Sequence, residues 1–169
     1  MQGHSEATIT HIWSRFHVLW LLCGAASGIG AGLIMIILAM ITGAGVLGEW
    51  SQPMKLLGAT FFGPDATYYG PLGVAGLYGL SLHLALSTLY GLIFAQLVCE
   101  KSRKRNLVIL GFVTSFIIWI FGCMLFMPAF DITLAKALPV RIGLFLHLSF
   151  GVSFGLLLSG FRKILLKNH

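Results

Sequence analysis

Two histidines carry most of the chemistry this chain offers. His83 and His147 each sit inside a long apolar run, framed by nearly the same residues: Gly79–Leu92 reads GLSLHLALSTLYGL and Gly143–Leu156 reads GLFLHLSFGVSFGL. Offset by 64 positions (147 − 83), the two stretches agree at seven of fourteen places. The leucine matches are cheap in apolar sequence. The Gly79/Gly143, His83/His147 and Gly91/Gly155 matches, with Tyr90 opposite Phe154, are not. An ionisable side chain inside a membrane-length segment is costly, so it is a functional candidate by default.

Three roles compete for the pair. In the first, each neutral imidazole bonds a neighbouring hydroxyl or carbonyl and ties helices together. Ser87, Thr88, Thr114, Ser115, Ser149 and Ser153 offer partners, and such bonds average about 0.6 kcal/mol in lipid. In the second, both imidazoles ligate one b-type haem, with glycines four before and eight after each histidine admitting the flat macrocycle. Close-packing glycines argue against this, as does the lack of a mid-helix basic residue for the propionates. In the third, the pair lines a pathway for protons, metal ions or a small solute. Buried carboxylates, the usual companions, are missing: the five Asp and Glu all lie outside the apolar runs.

The elements that must position these rings are membrane helices. Of 169 residues, 57% are hydrophobic and only 9% charged, against about 25% charged in soluble domains. Uncharged stretches run Val18–Gly48, Ala66–Cys99, Asn106–Phe130 and Ile142–Phe161. Each reaches the roughly 20 residues that cross a hydrocarbon core about 30 Å thick. The sequence therefore predicts one all-α membrane domain of four transmembrane helices, spanning about 17–43, 71–98, 107–127 and 139–161. The two near-copies run in the same direction, which implies two tandem two-helix repeats related by an axis along the membrane normal.

The net charge of +6 follows topology rather than nucleic acid. Arg15, Lys101, Arg103, Lys104, Arg105, Arg162, Lys163 and Lys167, eight of the 11 basic residues, fall on one side. The positive-inside rule then places both termini in the cytoplasm. Residues 1–15 read as a short cytoplasmic tail, not a secretory signal, because the apolar run that follows is far longer than a signal's core. Cys23, Cys99 and Cys123 form no C-x-x-C pair, so neither a disulfide framework nor a metal site is expected.

Small residues mark the contact faces. Gly24, Gly28 and Gly32 make two overlapping G-x-x-x-G steps in the first helix. Gly79 and Gly91, with His83 and Ser87, recur every four residues in the second; Gly143, Gly151 and Gly155, with His147, do so in the fourth. Such rows let backbones approach closely, so both histidines are expected to face protein. Between the first two spans, EWSQPMKLLGATFFG predicts a short helix lying in the outer interface, with Ser51 as its cap and Pro53 in its first turn. Trp50, Phe61, Phe62, Tyr68 and Tyr69 suit a water–lipid boundary. Pro128 is expected to end the third helix, and Asp131 to pair with Arg141.

The paired apolar helices, each with a G-x-x-x-H step and a following Tyr/Phe-Gly, resemble the YagU-like group of small bacterial inner-membrane proteins. The resemblance covers mainly the two repeated helices, and the basic 100–107 loop has no counterpart in it. It implies a four-helix inner-membrane fold and carries over no activity. Hydrolase, P-loop and zinc-protease motifs are absent, as are paired carboxylates. The expected role is non-catalytic: an accessory or assembly subunit of a larger, respiratory-type membrane complex. It would be partnered by lipid and by other membrane subunits or its own copies, without nucleic acid or metal. The alternatives are a bis-histidine haem b protein and a channel or transporter.

Overall fold

The computed structural model describes residues 18–68, 70, 72–99, 101–130 and 136–165. Among these every regular element is helical: α1 (Val18–Val46), α2 (Gln52–Phe62), a 3₁₀ turn (Pro64–Tyr68), α3 (Gly73–Leu97), α4 (Lys104–Trp119), α5 (Met127–Phe130) and α6 (Val140–Leu165). A π-helical segment, Ile120–Phe126, joins α4 to α5. Helices α1, α3, α4 with its π extension, and α6 are each long and apolar enough to cross a membrane. The chain is a multi-pass membrane protein. Helices suit these segments because lipid offers no partner to a backbone amide, so each segment must satisfy its own.

The spans pack in the order α3–α1–α6–α4. On α1, a methyl added to Gly28 would strike the Ser87 carbonyl, and one on Gly24 would sit 2.7 Å from the Ala95 methyl. Bare backbones therefore meet between α1 and α3, where a leucine would force them apart. Trp20 fastens the same pair near the basic turn, its Nε1–H donating to the Ala95 carbonyl at 2.7 Å. The α4–α6 pair repeats the arrangement: a methyl on Gly111 would lie 2.5 Å from the Gly151 carbonyl, and one on Gly155 would lie 2.6 Å from the Val108 Cα. The α1–α6 seam is filled by side chains. Cys23, Leu107, Phe154 and Leu158 are wholly buried in the cluster that also holds Phe94 and Phe150. By contrast α3 and α4 meet mainly through a bond between the Tyr90 and Thr114 hydroxyls, at 2.8 Å.

Helix α2 packs across α3. Gly58 permits this, since any side chain there would collide with the Ala75 carbonyl, and Gly79 faces the Met54 carbonyl in the same way. Gly63 ends α2 at φ 78°, a conformation open to glycine. Two expectations change here. Ser51 stands at the start of α2 but does not cap it, because its backbone is already helical (φ −85°, ψ −10°) rather than extended; its hydroxyl donates to the Glu49 carboxylate. Pro128 does not end the third span, which continues to Phe130. A proline ring collides with the carbonyl four residues back, and the wider π turns just before it relieve that crowding. Lys55 is 2% exposed and pairs with Glu49 at 2.7 Å. The expected Asp131–Arg141 pair and the tail at 1–15 lie outside the described residues. So does Tyr69, while Trp50, Phe61, Phe62 and Tyr68 are all exposed.

Candidate functional site

Where α3 and α4 part, the bundle holds a cavity of about 440 Å³ to which all four spans contribute wall. Its size falls within the range of small-molecule sites, about 300–1,000 Å³. Met35 and Ile36 of α1 form its back, and Tyr90 and Phe150 lie at the end nearer the basic turn. Met54 and Leu57 of α2 lie across the other end. Leu86 and Ile118, both exposed, flank the side that faces lipid between α3 and α4. Among the lining residues none is charged.

Both histidines are on this wall. His83 lies 10 residues into α3 (83 − 73) and His147 seven into α6 (147 − 140), about 15 and 10 Å along their helices at 1.5 Å per residue. Their bonding differs. The His147 Nδ1 lies 2.8 Å from the Gly143 carbonyl. A carbonyl only accepts, so Nδ1 carries the proton and Nε2 keeps its lone pair. That lone pair faces the Cys123 thiol, Nε2 to Sγ 3.9 Å. The Ser115 hydroxyl donates to the His147 main-chain carbonyl at 2.5 Å, joining α4 to α6 beside the ring. The His83 Nε2 is buried and has no protein partner. Three of the hydroxyls the sequence offers as ring partners bond elsewhere: Thr88 turns back to the Leu84 carbonyl, Thr114 bonds Tyr90, and Ser115 bonds the His147 main chain rather than its ring.

The π-helical segment supplies Gly122 and Cys123 to the same wall. π turns inside α-helices occur disproportionately at functional sites. At Gly122 a Cβ would meet nothing within 4 Å, so the wall there is set back. Sequence reasoning singled out neither Gly122 nor the Cys123–His147 contact. The one local signal was Pro128, two residues beyond the π segment.

The packing glycines separate into two kinds. Gly24, Gly28, Gly79, Gly91, Gly151 and Gly155 each face a neighbouring backbone too closely for a side chain, and Gly32 faces the Ser87 side chain at 2.7 Å. Gly143 meets side chains alone, the Trp119 Nε1 at 3.4 Å and the Leu138 Cδ2 at 3.7 Å. That indole nitrogen is itself buried without a partner. Among the described residues no group of three or more His, Cys, Asp or Glu could hold a metal ion. Arranged this way, the cavity can take an uncharged apolar molecule and offer it at least one hydrogen-bonding atom. No known protein family, curated protein or solved structure matches the chain.

Proposed function

We propose that this chain is a non-catalytic binding protein of the bacterial inner membrane, holding one small molecule drawn from the bilayer between α3 and α4. The observation that carries the reading is an apolar cavity whose wall includes both histidines. The basic 101–105 turn and the end of α6 would face the cytoplasm under the positive-inside rule, with α2 in the opposite interface. The two-helix units α1–α3 and α4–α6 are read as tandem repeats, a reading supported by the matching glycine-to-backbone contacts within each pair.

Native mass spectrometry of the protein released from mild detergent tests the proposal. Wild type should carry a bound small molecule that Gly122→Phe does not, because that side chain would fill the set-back wall without striking backbone. Equal adducts in both proteins would overturn it. The same spectra test the accessory-subunit role, which a lone monomer with no partner removes.

A second reading keeps the haem. It is favoured by the convergence of the two imidazoles on one cavity and by the unpartnered His83 Nε2. It is opposed by the Cys123 contact of the other ring and by the uncharged wall. An absorption spectrum separates the two: a haem gives an intense band near the visible–ultraviolet boundary that His83→Ala removes.

A further inference from the structure

The wall between α4 and α6 holds a pair of side chains that the binding role does not use. Cys123 comes from the π-helical segment and His147 from α6, and the Cys123 Sγ lies 3.9 Å from the His147 Nε2. A hydrogen bond fixes which ring nitrogen meets the sulfur with a lone pair. Nδ1 lies 2.8 Å from the Gly143 carbonyl, so it carries the proton and Nε2 is bare. Metal-bound histidines are held in this way, their second ring nitrogen donating to a carbonyl or carboxylate. The Ser115 hydroxyl braces the same turn of α6 through the His147 carbonyl. Neither side chain is sealed off. Both border the cavity, His147 is partly exposed, and Cys123 keeps 9% of its surface.

A metal ion bonds a cysteine sulfur at about 2.3 Å and an imidazole nitrogen at about 2.0 Å. Bonded to both across the 3.9 Å gap, it would stand between them at an open angle of roughly 130°, suited to two or three ligands. Charge narrows the choice of ion. No charged side chain lines the cavity, and an unbalanced charge in an apolar interior is expensive. One thiolate neutralises a monovalent ion, whereas a divalent ion would keep a charge over. The rest of the wall is soft as well: Met35 and Met54 belong to it and no carboxylate does. Thiolate and thioether donors select copper(I), which needs only two or three ligands. We propose that Cys123 and His147 form a binding site for one copper(I) ion. The sulfur exchanges its proton for the metal, one proton leaves per ion bound, and no electron is transferred.

Anaerobic titration of the detergent-solubilised full-length protein with copper(I), in competition with bicinchoninate, tests the assignment. Cys99→Ser serves as the reference protein, because Cys99 is exposed and free and would take up copper on its own. The reference should bind one copper(I) per chain. Adding Cys123→Ser or His147→Leu should each weaken binding by at least the roughly 10–100-fold that loss of a ligand's supporting partner costs. X-ray absorption at the copper edge reads the ligands without relying on any variant: the loaded reference should show imidazole nitrogen together with sulfur. A reference protein that binds no copper would overturn the site. So would a shell of sulfur alone, or uptake that Cys123→Ser leaves unchanged. Zinc(II) bound as tightly as copper(I) would overturn the choice of a monovalent ion. Whether the cavity holds a molecule from the bilayer is read by native mass spectrometry instead, so the two proposals can fail separately.

Discussion

Gly79–Leu92 and Gly143–Leu156 share their spacing but not their surroundings. Gly79 is pressed against the backbone of α2, with the Gly58 nitrogen 2.9 Å from where its Cβ would stand; Gly143 has an indole ring at 3.4 Å. His147 is held through both ring nitrogens, by Gly143 and Cys123, whereas His83 keeps one nitrogen unengaged. Tyr90 sends a hydroxyl across to Thr114, while Phe154, its counterpart, packs edge-on to Phe94 at 4.9 Å between ring centroids. The shared glycines serve helix contact. What differs is how each imidazole is engaged, and for His147 that is decided by a neighbour outside the matching stretch, the π-helical segment that supplies Cys123.

Substitutions at matching positions put this contrast at risk. The largest difference should come from Gly79→Ala and Gly143→Ala. The first drives a methyl into the α2 backbone and should cost about 3 kcal/mol, the upper range for overpacking. The second should be within about 1 kcal/mol of neutral, because the Trp119 ring need give by only a few tenths of an ångström and alanine is the better helix former. Unfolding by sodium dodecyl sulfate in mixed micelles reads both, and equal losses would erase the distinction between the two copies.

Next in size is Glu49→Gln, which acts on the α1–α3 unit alone. It leaves the buried Lys55 ammonium without its counter-ion. Breaking a fully buried pair costs about 3–5 kcal/mol, but Glu49 is partly exposed and water screens its share, so about 2 kcal/mol is expected. The pH dependence has a definite sign. Lys55 first, and the Ser51 hydroxyl second, hold the Glu49 carboxyl below its ordinary value of 4.5. A carboxylate depressed in the folded state contributes stability that is full above the unfolded value and is lost as pH falls through the folded one. Wild type should therefore lose α2 docking below pH 4.5, seen as faster proteolysis after Lys55, while Glu49→Gln should show no such step.

The histidines come third. His147→Leu removes the bonds to Gly143 and Cys123 and should cost about 1 kcal/mol. His83→Leu relieves an unpartnered buried nitrogen and should be close to neutral. A His83 variant that unfolds more readily than its His147 counterpart would reverse the comparison. Smallest is Tyr90→Phe, which converts the first copy to the residue of the second. Loss of the Thr114 bond should cost about 0.6 kcal/mol, the average for interhelical polar contacts in a membrane protein.

The spans were readable from sequence because a bilayer fixes both length and composition. Val18–Val46 and Gly73–Leu97 fall within three residues of the predicted limits at each end. Contact faces were readable for a related reason: rows of glycine four apart, such as Gly24 and Gly28, have no use on a lipid-facing surface. The site was legible only as two residues. That His83 and His147 border one cavity depends on how far apart α3 and α4 stand, which no local pattern encodes. The burial of Lys55 was not legible, because it follows from α2 lying on α3 through Gly58 and Gly79, a contact between segments about twenty residues apart. The Ser51 cap failed because Ser51 has helical rather than extended backbone and Pro53, in the first turn, has no N–H to offer it.

Helix α2 lies across one end of the cavity, while Leu86 and Ile118 flank the side between α3 and α4. On the proposed binding role, the approach is sideways, through the acyl chains. Occupancy would be governed by the mole fraction of ligand dissolved in the surrounding lipid, not by its molar concentration in the medium. Diluting the protein with extra vesicles should empty the site, and diluting it with buffer should not.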